Sequence, residues 1–241
     1  MNVTTPSIPR LRPVEPVVGP LSILLISVPR PQPRGKTEYE PLTAAENETE
    51  AIVEALAPLE KAVQIKLLNG PAATYDNVYT AIKGGRFHIV HFNGHAYFNT
   101  DKAHLSSLVL FDKDLTTGPI VNFLGSRPPV LFFMNACETA AAGPPDQSWE
   151  KRYDIFGLAR AFLESGGYLI GSRWRVSDAG AAAFARTFYD RLIQELPLGQ
   201  AIRDARLACR DASDNQDLSW ASYLYYGDPR LRFSRVQEPP G

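Results

Sequence analysis

Cysteine is nearly absent. Cys137 and Cys209 are the only two in 241 residues, too few for a disulfide framework, so a reducing compartment, the cytoplasm, is the expected location. Long apolar runs are lacking as well. The longest, LSILLISV at 21–28, has the length of a strand and falls well short of the roughly 20 residues a membrane helix needs. No small-residue cleavage site follows it, which argues against a secretory signal. Neither sign of charge dominates: 25 basic residues against 26 acidic ones give a net charge of −1. The basic stripe that direct nucleic-acid binding requires is therefore missing. There is no internal repeat, no Cys-rich cluster and no Glu-Xaa-Xaa-His pattern, and neither a metal nor a cofactor is expected.

What remains is an ordinary globular composition, 44% hydrophobic and 21% charged, in a chain long enough to bury a full core. The first twenty residues carry five prolines and no periodic pattern, and read as an extended leader or linker. The body is expected over 21–235, with a short tail at 236–241. A second Pro-rich loop, PRPQPRGKTEYEP, covers 29–41. Beyond it strand and helix signals alternate. Strands are expected at 21–28, 63–68, 87–92, 130–135 and 168–172, and helices at 42–62, 74–82 and 154–165. A long helix starts after Ser177 or Asp178, either of which can cap it. A last helix, LGQAIRDARLACRDA, precedes WASYLYYGDPRLRF. Several strands are apolar on both faces, as when helices cover both sides of a parallel sheet.

The stretch HIVHFNGHAYF at 88–98 places His91 and His95 four apart. That spacing binds zinc when both project from one helical turn, but the flanking residues alternate with the period of a strand. His88 and His91 therefore read as packed strand histidines, and His104 as a loop residue. His95 follows Asn93-Gly94, a turn signal, and is expected just past the carboxyl end of a central strand. Parallel α/β sheets place their chemistry there, and an imidazole there suits acid–base work. In VLFFMNACETA, 130–140, a second buried strand runs out to Cys137. If the two strands are neighbours, His95 and Cys137 emerge side by side, as thiol catalysis needs. Cys209 lies in a helix with Ile202 and Leu207 and reads as a small buried hydrophobe.

These fragments resemble the CHAT peptidases, caspase-like cysteine peptidases of the clan that includes separase relatives. HIVHFNGHA is similar to that family's strand ending in Gly-His, and VLFFMNACETA to its strand ending in Ala-Cys. FGLARAFLESGGYLIGSRWRVSD, FYDRL, LGQAIRDARLA and WASYLYYGDP follow its later landmarks in order over 21–233. The resemblance implies an α/β caspase–haemoglobinase-like fold with about six mostly parallel strands flanked by helices on both faces. It implies a cysteine endopeptidase with a Cys137–His95 dyad acting on a protein substrate. It also implies an activator or sensor protein on a separate chain, in a prokaryotic defence or regulatory pathway. It places the oxyanion hole at the backbone N–H groups of Cys137 and Ala96. Alanine stands there where glycine is usual, and would be strained if its φ were positive. The loop SRWRVSD would wall the substrate pocket with Trp174. Asp178 either caps the following helix or selects a basic substrate residue, while Arg173 would favour an acidic one. The alternative from another class is a catalytically silent caspase-like interaction module.

Overall fold

The computed structural model describes residues 17–35, 37–59, 61–97, 105–124, 128–138, 162–163, 165–174, 176–213 and 217–236. The described chain begins with β1 (Val17–Val18) and β2 (Leu21–Val28), followed by α1 (Thr43–Leu56), β3 (Val63–Asn69) and α2 (Tyr75–Gly84). Next come β4 (Ile89–Tyr97), β5 (Ser107–Val109), β6 (Asp114–Thr116) and α3 (Thr117–Leu124). The second half holds β7 (Leu131–Glu138), β8 (Tyr168–Ser172), α4 (Asp178–Ile193), α5 (Leu198–Ala212), α6 (Ser219–Ser222), β9 (Tyr223–Tyr226) and β10 (Arg235–Val236).

One sheet organises these elements, in the order β3-β2-β4-β7-β8-β9, with β5 and β6 attached to β4. The pairs among β3, β2, β4, β7 and β8 are parallel, and only β9 closes that row antiparallel. This is the mostly parallel, helix-covered sheet that the sequence predicts. β1 and β10 pair separately, bringing residues 17–18 beside 235–236.

Alternation along the strands divides the core in two. Ile23, Leu25, Ile89, Leu131, Phe133 and Ile170 pack with Ile52 and Leu56 of α1 and with the apolar stripes of α4 and α5. Leu24, Ile26, Val90, Phe92, Phe132 and Met134 pack with Val78 and Ala81 of α2 and Ile120 and Leu124 of α3. Helix starts follow side-chain chemistry. Thr74 accepts the Asn77 N–H ahead of α2 and Ser177 accepts the Gly180 N–H ahead of α4, each satisfying one of the first-turn donors that lack a partner inside the helix. The helix expected at 154–165 lies mostly outside the described residues.

Two expectations are corrected here. β4 does not stop before Asn93-Gly94, and β7 does not stop at Asn135: both run on through His95 and Cys137. Gly94 pairs with Val28 on one side and Ala136 on the other and is not among the glycines with positive φ. Ladder bonds from two flanking strands override the local turn preference. Glycine serves for room instead, since a Cβ there would lie 3.0 Å from the Phe92 ring and 3.3 Å from Val28 Cβ.

Candidate active site

The chain leaves β2 toward β3 on one side and reaches β4 on the other. The carboxyl ends of β2 and β4 therefore flank a topological switch point, where open α/β sheets hold their ligands. At this edge the register sets His95 directly beside Cys137, with Gly94 beside Ala136 before them and Ala96 beside Glu138 after them. Neighbouring positions on paired strands bring the two residues together without any help from loops.

His95 is fully buried. Its Nε2 lies 2.9 Å from the Glu40 carbonyl oxygen, and its ring centroid is 5.4 Å from that of Tyr39. A carbonyl oxygen only accepts, so this bond puts the imidazole proton on Nε2 and leaves Nδ1 with its lone pair. Nδ1 is buried without a hydrogen-bond partner among the described residues. Burial pushes the His95 pKa below its usual 6.5, with the Glu40 carbonyl opposing in part, so a neutral ring is favoured.

The loop that supplies Glu40 is the Pro-rich 29–41 segment. Leu42 N–H bonds the Pro29 carbonyl, closing the loop at its base. Arg34 anchors it to β5–β6 through the Leu110 carbonyl and an ion pair with Asp114, and Gln32 N–H adds a bond to the Phe111 carbonyl.

Beside the strand ends lies a cavity of about 30 Å³, lined by Leu42, Thr43, Asn93, Asn135, Val176 and Asp178 among others. Val176 of the loop after β8 and Asp178 at the start of α4 thus reach the recess. Trp174 and Arg173 are not among its lining residues; the Arg173 guanidinium instead sits over the Trp174 ring at 5.9 Å. Both give their backbone N–H to Ser222 Oγ, which in turn donates to the Trp174 carbonyl. Asp178 is not the cap of α4. Ser177 takes that place, its extended φ and ψ of −66° and 152° turning its hydroxyl to the Gly180 N–H, so Asp178 is the first helical residue.

Ala96 does not have the positive φ that would strain an alanine there. Glu195 is the only non-glycine with positive φ among the described residues, and Ala96 is extended, paired with Leu108 of β5 as well as with Glu138. Cys209 is buried against the start of α4, its thiol pushed up to about 12 mainly by burial. His88 Nδ1 accepts the Ser22 N–H at 2.9 Å. His91 is tied to Tyr189 and Glu48, so it and His95 face different partners. His104 lies outside the described residues.

Three groups at the site escape a reading of the sequence. Glu40 acts through a backbone carbonyl, which no side-chain pattern reveals. Asn135 is read there only as the end of an apolar run. Glu48 did leave a signal: it falls on the stripe Ala45-Glu48-Ile52-Leu56, whose spacing marks the buried face of α1.

Comparison with known proteins assigns the class first. The Arg-specific cysteine proteinase gingipain R superposes with a TM-score of 0.59 at 15% identity, over 88% of this chain and 47% of that one. The fold is therefore the caspase-like one, and this chain spans about half the length of that protein. A weaker likeness, TM-score 0.48 and 12% identity, relates 88% of this chain to 12% of a chain in the Saccharomyces cerevisiae separase–securin complex. No curated protein matches the sequence. The CHAT domain family model matches residues 2–228, and the chain belongs to that family. Among the described residues no helix is long and apolar enough to cross a membrane.

Proposed function

We propose that the chain is a cysteine endopeptidase in which Cys137 is the nucleophile and His95 carries the proton. One observation carries this reading: the ladder sets His95 beside Cys137 while the Glu40 carbonyl holds the other side of the ring, leaving Nδ1 as a base with no other partner among the described residues. Nδ1 takes the thiol proton, and the thiolate attacks the peptide carbonyl carbon. The oxygen of the tetrahedral intermediate is proposed to accept from the backbone N–H groups of Cys137 and Ala96. His95 then returns the proton to the leaving amine, giving an acyl-enzyme. In the second half His95 deprotonates a water that attacks the thioester, and the thiol is regained with release of the acid.

Selection of the residue before the cut is proposed to rest on Asp178, because it lines the recess with Asn93 and Asn135 and is free of the capping task that Ser177 performs. A carboxylate there pairs with an arginine or lysine side chain, the class of selection for which gingipain R is named. The substrate is a protein. An activation step, driven by a separate chain in a prokaryotic defence or regulatory pathway, belongs to the same reading. Its support is that His95 has no exposed surface and that a recess of about 30 Å³ holds little more than a water or two.

The test is a proteome-derived peptide digest read by mass spectrometry, comparing wild type with Cys137→Ala at matched folding. Cuts after arginine or lysine that vanish in Cys137→Ala are expected. Identical cleavage by both proteins would refute the dyad, and absence of any adduct on Cys137 with a peptidyl electrophile under any activating condition would favour a silent interaction module.

A further inference from the structure

A carboxylate wholly out of water is costly unless it is paired and hydrogen-bonded, and α1 places one beneath the dyad. Glu48 and His91 are both 0% exposed. Glu48 Oε2 accepts from Asn135 Nδ2 at 2.5 Å, and its Oε1 stands 3.3 Å from His91 Nε2. The other ring nitrogen of His91 is 2.9 Å from the Tyr189 hydroxyl of α4, and the ring stacks on Phe133 at 4.2 Å. Asn135 precedes Cys137 by two residues on β7, and His91 precedes His95 by four on β4.

The same turn of α1 makes two more polar contacts. Asn93 of β4 donates to the Ala45 carbonyl at 3.0 Å, and the Thr49 and Ser27 hydroxyls, the latter on β2, are hydrogen-bonded at 2.9 Å. Ala45, Glu48 and Thr49 therefore grip three adjacent strands just below the ends that carry the chemistry. Apolar packing is non-directional and leaves a helix free to slide along a sheet, whereas hydrogen bonds to fixed partners set its axial position.

We infer that Glu48 is a positioning residue: its buried carboxylate locks β4 and β7 against α1 and so fixes the relative placement of His95 and Cys137. The inference rests on the peptidase reading above. The groups facing the carboxylate are His91 from β4, Asn135 from β7 and, through His91, Tyr189 from α4. Stability alone is a poor reason to keep such a pair, because the desolvation of a buried carboxylate offsets much of what its contacts return. Placement is the role left, and misplacement of about 1 Å can cost on the order of a hundredfold in rate.

The experiment compares four proteins: wild type, Glu48→Gln, Glu48→Asp, and the double variant Glu48→Leu with His91→Leu. Rates are normalised to Cys137 labelled by a peptidyl chloromethyl ketone, and melting is followed in parallel. Glu48→Gln keeps the side-chain length and an oxygen for Asn135 Nδ2 and should hold kcat within about threefold. The double variant leaves the Asn135 amide and the Tyr189 hydroxyl without these partners, so it should melt below wild type, and it should lose roughly tenfold to a hundredfold in kcat per labelled site at little-changed KM. Glu48→Asp, drawn back by one methylene, should also lose tenfold or more, and it decides the matter if the double variant does not fold. Wild-type kcat per labelled site in the double variant or in Glu48→Asp would overturn the inference. Cleavage that persists in Cys137→Ala, run alongside, would instead refute the peptidase reading, and wild type with no Cys137-dependent cleavage would overturn both.

Discussion

Replacing Asp178 with asparagine separates recognition from folding. Ser177 holds the Gly180 N–H at 3.3 Å and keeps the cap of α4 in the variant. The structural loss is then confined to one negative charge in the first turn, worth about 0.3–1 kcal/mol against the helix dipole. In a chain of this size that lowers the melting temperature by roughly 1–4 °C. Recognition loses far more, because a basic substrate side chain left without its partner in a partly dry site forfeits about 2–5 kcal/mol. At a factor of ten per 1.36 kcal/mol, kcat/KM on arginine or lysine substrates should fall roughly thirtyfold to several thousandfold. Norleucine at the same position should be spared. Ser177→Ala is the converse variant. Loss of the cap should cost about 0.5–2 kcal/mol of stability and leave the basic preference intact. The assay is steady-state cleavage of matched fluorogenic peptides alongside thermal melting. If Asp178→Asn keeps its efficiency on arginine substrates within about twofold while Ser177→Ala loses it, the assignment of roles to these two neighbours is wrong.

His95→Ala should slow turnover by about 10²–10⁴, the usual contribution of a positioned acid–base group, with the melting curve as the control for folding. Cys209, buried with its thiol raised to about 12, should resist iodoacetamide under native conditions while Cys137 reacts. Peptide mapping reads this directly, and Cys209→Ala should stay within about twofold of wild-type activity. His88 and His95 both have folded-state pKa values pushed below 6.5 by burial. Their stabilising contribution is therefore complete above the unfolded value near 6.5 and is lost as pH falls through the folded values, because the unfolded chain then binds the extra protons. Denaturant midpoints should hold steady above about pH 7 and decline below about 6.5, and the decline should be shallower in His88→Gln. A midpoint unchanged down to pH 5 would show these rings titrating alike in both states.

Periodicity and local chemistry determined much of this protein. Alternation and apolar runs marked the strands at 21–28, 63–68 and 168–172 to within a residue or so, because a strand covered on both faces has little choice of residue. The order of strand and helix signals was enough for a parallel sheet with helices on both sides. The stretches that resemble CHAT motifs point to His95 and Cys137 without any knowledge of which strands are neighbours.

Tertiary structure decided the rest. A turn preference at Asn93-Gly94 is a local energy of small size, and ladder bonds from β2 and β7 outweigh it, so β4 carries His95 inside the sheet. Ser177 and Asp178 are near-equal caps in isolation, and the entry angle of the chain into α4 selects the serine. The stripe Ala45-Glu48-Ile52-Leu56 sets Glu48 apart from Glu46 and Glu50, but it does not say what answers the carboxylate. Only the packing of α1 over β4 and β7 submerges Glu48 while its two neighbours stay in reach of water, and its partners, His91 at a separation of 43 residues and Asn135 at 87, meet it only once the sheet has formed. Local preferences act within a few residues. Burial of a charge and the groups that answer it are set by contacts that exist in space alone.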